Sequence, residues 1–177
     1  EDRTATFQAG IYGPDLEAAL GGRGFMLGHC PQSFEFSTLG GWIAARSSGQ
    51  QSNQYGDIAD LLVSCRVVTP QGELKTWNGP VSAAGPDLDM VIAGSEGTLG
   101  VSVDATVRIH PKPAHHQIKA VLFPDFARGT AALSAIVGAG LRMSFRRLSD
   151  EVETETYLKM GGGGPAKELG LSALGLF

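Results

Sequence analysis

The sequence predicts an α+β fold: a mostly antiparallel sheet with interspersed helices, followed by the start of a second, ferredoxin-like α+β unit. Alternating or apolar strand-type runs over 4–9 (TATFQA), 61–69 (LLVSCRVVT) and 101–109 (VSVDATVRI) carry the first part. A change of pattern carries the second. Pro111 and Pro113 punctuate the chain, and a strand (117–123), an amphipathic helix (125–138), a strand (143–148) and a further helix (150–160) follow. This organisation divides the chain into residues 1–112 and 113–177.

The elements follow from local signals. Residues 4–9 alternate as a strand, and Pro14 to Leu20 form a short helix with proline near its start and glycines past its end. Residues 28–41 are a loop rich in Gly, Ser and Pro. It leads into a helix at 39–47 with Thr38 as N-cap, weakened by Gly40 and Gly41 in the first turn. The strand at 61–69 turns at Pro70-Gln71-Gly72 and returns as 73–77. Pro86 to Val91 suggest another short helix, and the alternation at 101–109 gives a half-buried antiparallel strand. Asp150 is placed to cap the last helix. Gly161 to Gly164 read as a flexible loop, and the residues up to Phe177 are too few to complete a second core, so that unit is expected to be truncated.

Composition narrows the function classes. Of 177 residues, 42% are hydrophobic and 18% charged, which is a globular balance rather than a disordered one. The net charge of −4 gives no basic footprint for nucleic acid, and no apolar run approaches the roughly 20 residues that span a bilayer. Cys65 lies in an apolar run and reads as a buried thiol, while Cys30 lies in a turn-rich segment. Their spacing suggests neither zinc nor a disulfide scaffold, and a reducing compartment is the simplest reading. Residues 1–4 give neither an initiator Met nor a signal peptide, so the chain is expected to begin inside a larger protein.

Three segments could carry chemistry. Residues 31–41 (PQSFEFSTLGG) set hydroxyls and small residues against a helix start, where unpaired amides and the helix dipole favour an anion; the bland alternative is an ordinary capped loop. In Ala45-Arg46-Ser47-Ser48-Gly49, Arg46 could pair with a phosphate and the serines could donate, or Arg46 could offset the helix dipole and Gly49 end the helix. In residues 94–100 (GSEGTLG), three glycines imply sharply turning backbone, with Glu96 able to cap neighbouring amides; a strand-entry turn is the alternative. His29 reads either as lining a site or as structural, and His115 and His116 read as solvated linker. No catalytic constellation or metal-ligand spacing emerges.

Taken together and in this order, these segments resemble one family. Gly28-His29-Cys30-Pro31, Phe34 to Trp42 (FEFSTLGGW), Arg46-x-Ser48-Gly49, Tyr55-Gly56, Val68-Thr69-Pro70-x-Gly72, Gly85-Pro86-Asp87 and Gly94 to Val101 closely resemble the alkyldihydroxyacetonephosphate synthases, which are FAD flavoproteins of the vanillyl-alcohol oxidase type. The resemblance covers roughly residues 5–150. Within it Gln32, Cys30, Ala45 and Ser102 stand where Asp, Glu, Thr and Ile are usual.

The resemblance implies the second subdomain of an FAD-binding domain plus the opening of a cap domain. It assigns FAD contacts to Gln32, Ser33, Phe34, Glu35, Phe36, Ser37, Thr38, Gly40 and Gly41, then to Ala45, Arg46, Ser47 and Ser48, and then to Glu96, Gly97, Thr98, Leu99, Gly100, Val101 and Ser102. The three segments are therefore expected to converge as one wall of a cofactor cleft. The first FAD subdomain is expected before Glu1 and the family's acid/base tyrosine beyond Phe177, so no catalytic residue is assigned. The implied enzyme exchanges the acyl chain of acyl-dihydroxyacetone phosphate for a fatty alcohol. The alternative is an FAD-linked glycolate or D-lactate dehydrogenase or oxidase, and a third reading is an inert scaffold half. Expected partners are FAD and a small-molecule or lipid-like substrate, with a homodimer possible, in the cytoplasm of a bacterium or the peroxisome of a eukaryote.

Overall fold

The structure, a computed structural model, describes residues 2–79 and 82–160. In chain order it contains β1 (Thr4–Gln8), α1 (Gly13–Gly21), β2 (Phe25–Met26), a 3₁₀ turn (Phe34–Phe36), α2 (Leu39–Ala45), α3 (Ser52–Tyr55), α4 (Ile58–Leu61), β3 (Leu62–Thr69), β4 (Gly72–Lys75), α5 (Leu88–Ile92), β5 (Val101–Arg108), β6 (His110–Pro111), α6 (Phe126–Gly138) and α7 (Glu151–Met160). The described residues form two compact units. One runs to Gln117 and includes Arg142–Phe145; the other comprises Ile118–Leu141 and the residues from Arg146 on. The glycine run at 161–164 and the segment after it lie outside the described residues. Among those described, no helix is long and apolar enough to cross a membrane.

The first unit is built on a four-stranded antiparallel sheet in the order β1-β5-β3-β4. Side chains alternate across a strand with period two, so each strand presents one apolar face. Ala5 and Phe7, Cys65 and Val67, and Ala105 and Val107 turn inward to meet Leu16 and Leu20 of α1, Leu39, Trp42 and Ile43 of α2, Ile58 and Leu61 of α4, and Ile92 of α5. The other face is polar. Thr6 and Thr106 share a hydroxyl bond of 2.8 Å, and Arg66 bonds Asp104 at 2.7 Å and Glu73 at 3.3 Å. A second pairing, β2 with β6, joins Phe25 to Pro111 and Met26 to His110. Two-residue strands carry no readable alternation, so the sequence offered no sign of it.

Two short helices precede β3 where no helix was expected. A capping box fixes α4: Asp57 Oδ1 accepts from the Ala59 and Asp60 amides at 2.8 and 3.2 Å, and Asp60 Oδ2 accepts from the Asp57 amide at 2.9 Å. Asp57→Ala is expected to lower the unfolding free energy by about 1–2 kcal/mol, with Asp57→Asn retaining most of it, as read by urea denaturation. A buried polar cluster anchors α5. Asp89 Oδ1 accepts from the Thr76 hydroxyl at 2.8 Å and the Cys65 thiol at 3.6 Å, and burial pushes the Cys65 thiol up to about 12. Cys65 is therefore the inert core thiol its apolar run suggested.

In the second unit both helices form, capped by Asp125 and Asp150, whose carboxylates accept from the amides of Arg128 and Glu153 at 2.8 and 2.7 Å. The helix α6 comes close to Leu148 at Gly129, where an added Cβ would stand 2.6 Å from Leu148 Cδ1. The flanking strands expected at 117–123 and 143–148 do not form. Alternation predicts which way side chains point, but a strand also needs a neighbour for its amides and carbonyls. Neither segment finds one among the described residues, and Ile118, Val121 and Leu122 are more than half exposed. His115 and His116 are exposed, as solvated linker residues should be.

Candidate functional site

The three polar segments are organised around α2, a helix of seven residues and so about 10 Å long. The first segment enters its N-terminus, the second leaves its C-terminus, and the third is hydrogen-bonded to its last turn. The Gly94 amide donates to Ile43 O and the Glu96 amide to Ala44 O, each at 2.9 Å. These bonds occupy carbonyls that a helix end leaves unpartnered. The expected convergence of the segments is therefore made by main-chain bonds.

The start of α2 matches the capped-loop alternative rather than an open anion cradle. Its first amides are taken: Leu39 N donates to Ile11 O at 3.0 Å, Gly40 N to Ala9 O at 2.7 Å, and Gly41 N to the Thr38 hydroxyl at 3.3 Å. Thr38 is thus the cap its position suggested, but the donors that would hold a phosphate are spent on the turn after β1. Gly40 is explained in the same way. A Cβ there would lie 2.8 Å from Ala9 Cβ, so the missing side chain admits the protein's own backbone.

The end of α2 differs from the expectation. The helix stops at Ala45, and Arg46 is left-handed (φ 48°). The Arg46 amide donates to Ile43 O and the Ser47 amide to Trp42 O, the two bonds of a Schellman motif with arginine where glycine is usual. Gly49 does not end the helix. A Cβ on it would stand 2.7 Å from the Cys30 backbone, so it is small for packing. Glu96 is left-handed as well (φ 51°) and makes its contact through its amide rather than as a side-chain cap. Left-handed backbone costs a non-glycine residue roughly 1–2 kcal/mol and concentrates at functional sites. Arg46 and Glu96 both border the last turn of α2, and a Cβ on Gly94 would meet Arg46 Cβ at 3.3 Å.

Gln32, Ser33, Glu35, Phe36, Gly41, Ala45, Arg46, Ser48, Glu96, Gly97, Thr98, Leu99 and Val101 are exposed on this wall, with Phe34, Ser37, Thr38, Gly40, Ser47, Gly100 and Ser102 partly covered. Some hydroxyls are already committed. Thr98 donates to Ser95 O at 2.7 Å, Ser37 to Ser33 O at 2.7 Å, and Ser33 to Ser37 Oγ at 3.1 Å. Gln32, Arg46 and Ser48 remain as exposed donors. The Arg46 guanidinium meets only the soft sulfur of Met90, at 3.8 Å, and no carboxylate pairs with it among the described residues. A cationic fork of this kind, flanked by hydroxyls, fits a ligand with phosphate and carbonyl oxygens.

Behind the wall lies a layer that the sequence reading did not foresee. Trp42 is buried, stacks on Phe34 (centroids 6.1 Å apart, 13°), and donates from Nε1 to Ser37 Oγ at 2.6 Å. His29 is buried against Trp42 and lies 2.9 Å from Ser47 Oγ. Burial lowers its pKa to about 4, partly offset by Asp57, so the ring is neutral near pH 7. Only the aromatic and imidazole residues themselves hinted at this layer; their pairing depends on the fold. A separate cleft of about 410 Å³ lies between β1 and the last turn of α1, lined by Thr4, Phe7, Leu20 and Arg23 among others. It contains none of the wall residues. The candidate site is defined by its exposed donors and by the left-handed Arg46 and Glu96 at the end of α2, not by a cavity.

A family model described as FAD binding domain matches residues 1–78. Alkyldihydroxyacetonephosphate synthase of Dictyostelium discoideum is 47% identical over 154 residues, covering 87% of this chain and 25% of that protein. A solved structure of alkyldihydroxyacetonephosphate synthase, in P1, superposes with a TM-score of 0.84 at 40% identity over 99% of this chain and 33% of its own. The glycolate oxidase subunit GlcD of Bacillus subtilis is more distant, at 30% identity over 166 residues, 91% of this chain and 35% of the relative. The chain spans about a quarter to a third of the length of the relatives it matches.

Proposed function

Since this chain belongs to the FAD-binding flavoproteins that include the alkyldihydroxyacetonephosphate synthases, we propose that segments 32–41, 45–48 and 96–102 form one wall of its FAD cleft. The observation that carries this reading is the junction at the end of α2, where the Arg46 and Gly94 amides both donate to Ile43 O, the Ser47 amide to Trp42 O and the Glu96 amide to Ala44 O. It gathers exposed polar groups from distant parts of the chain onto one surface. Arg46 pairs with a phosphate, Ser48 and Gln32 donate to polar edges of the cofactor, and the half-buried Phe34 supports the wall from behind. When bound, FAD supplies the electron-accepting ring, and the residues of this chain hold and orient it.

For the whole protein we favour acyl-to-alkyl exchange on acyl-dihydroxyacetone phosphate over oxidation of a 2-hydroxy acid. The support is the higher identity to the synthase, 47% against 30% for the glycolate oxidase subunit. The cleft is tested by titrating FAD into the purified protein and following flavin fluorescence. Arg46→Ala is expected to weaken binding about 10- to 100-fold, the effect of losing one charge-assisted hydrogen bond. Unchanged affinity would remove Arg46 from the site. The chemistry is tested on the flavin-loaded protein. Ether formation from acyl-dihydroxyacetone phosphate and a fatty alcohol supports the synthase reading, whereas bleaching of the flavin by glycolate or D-lactate supports the other.

A further inference from the structure

The hydroxyl of Ser47 is controlled by a residue behind the wall. Its backbone is clamped on both sides: the amide donates to Trp42 O at 3.0 Å, and the carbonyl accepts from Ile58 N at 3.2 Å. Its Oγ lies 2.9 Å from Nε2 of His29. The His29 ring is 1% exposed, set edgewise to Trp42 with centroids 5.1 Å apart, and its Nδ1 is buried without a hydrogen-bond partner among the described residues.

A neutral imidazole carries one N–H and one lone pair, so the site has two possible polarities. With the proton on Nδ1, a buried N–H donor is left unmatched, and Ser47 must turn its own proton inward to Nε2. With the proton on Nε2, the unmatched group is only a lone pair. Orphaned buried N–H groups are the rarer and costlier kind, so the second arrangement wins. Ser47 Oγ then accepts from His29, and its hydroxyl proton is free to point away from the core.

We propose that His29 is a positioning residue: as the Nε2–H tautomer it donates to Ser47 Oγ and thereby presents the Ser47 hydroxyl as a donor to an acceptor oxygen of bound FAD. This rests on the reading that segment 45–48 lines the FAD cleft. Its burial-lowered pKa keeps the ring neutral at working pH, so the ring carries no charge to compete with Arg46 for the cofactor's phosphates.

Two measurements test it. Nitrogen-15 NMR of the labelled wild-type protein is expected to show a protonated-type shift at His29 Nε2 and a lone-pair-type shift at Nδ1; the reverse pattern overturns the proposal. FAD titration is then run on Ser47→Ala, His29→Leu, the double variant and His29→Gln, with urea midpoints recorded alongside. Each single change is expected to weaken FAD about tenfold, and the double change no further, because both remove the same donor. His29→Gln can place an amide N–H near the Nε2 position and is expected to hold affinity within about threefold. Additive losses, or a Gln variant no better than Leu, reduce His29 to a core residue and overturn the proposal while leaving the cleft intact. A wild-type protein that binds no FAD sinks both together.

Discussion

Gly100→Ala is expected to be the most damaging single-methyl change in the first unit, costing about 3 kcal/mol or more. A Cβ at this position would stand 2.4 Å from the Val68 carbonyl oxygen and 2.8 Å from Val67 Cγ1. The nearer atom is backbone, within the β3–β5 ladder that pairs Val67 with Ser102 and Val68 with Val101. Relief therefore requires the ladder to part or the loop to leave, both costly in a packed structure. Gly97→Ala is the control. Its φ of 79° disfavours a side chain, yet nothing lies within 4 Å of the added atom, so only conformational strain of about 1 kcal/mol is expected. Urea denaturation of both variants separates the two effects. Equal losses at 97 and 100 would falsify the steric account.

The second large effect is with pH. His29 has an ordinary unfolded pKa near 6.5 and a folded value of about 4. Between those limits the unfolded chain binds more protons than the folded one, so stability is fully present above pH 6.5 and is lost as pH falls toward 4. The shift corresponds to a loss on the order of 3 kcal/mol across the window. His110 is lowered too, mainly by burial and then by Arg108 and Arg3, and adds in the same direction. Asp89 works the other way: burial raises its pKa, so its protonation on acidification favours the folded state. Urea midpoints measured from pH 7 to 4 should fall steeply in the wild type. In His29→Gln the slope should flatten, since the titrating group is gone. An equal slope in the variant assigns the acid sensitivity elsewhere.

Much of the fold was legible because the sequence encodes it locally. Strands β1, β3 and β5 were announced by alternating or apolar runs, Thr38 by its place before an apolar helix, α6 by its amphipathic pattern and α7 by Asp150 at its cap. What escaped depended on partners far along the chain. No local signal says that the Gly40 amide will be taken by Ala9, so the sequence left both an anion site and an ordinary capped loop open at the start of α2. Arg46 could not be foreseen as left-handed, because the usual marker, a glycine at the helix end, stands three residues later for a different reason. The segments 117–123 and 143–148 show the converse: strand-like side chains without a ladder. At the candidate site, glycine spacing and hydroxyl content singled out the three segments that meet at α2, but the layer of His29, Trp42 and Ser37 behind them emerged only from packing.

The double closure of α2 bears on how the wall comes into being. Seven residues are too few to hold a helix in water, where about a dozen or more are needed. Its opening turn is tied to Ala9 and Ile11, some thirty residues upstream, and its last carbonyls to Gly94 and Glu96, some fifty residues downstream. The surface assigned to the cofactor thus depends on contacts made with both distant parts of the chain. A nascent chain that has not yet emerged past Glu96 lacks both the contacts that close the end of α2 and most of the third segment.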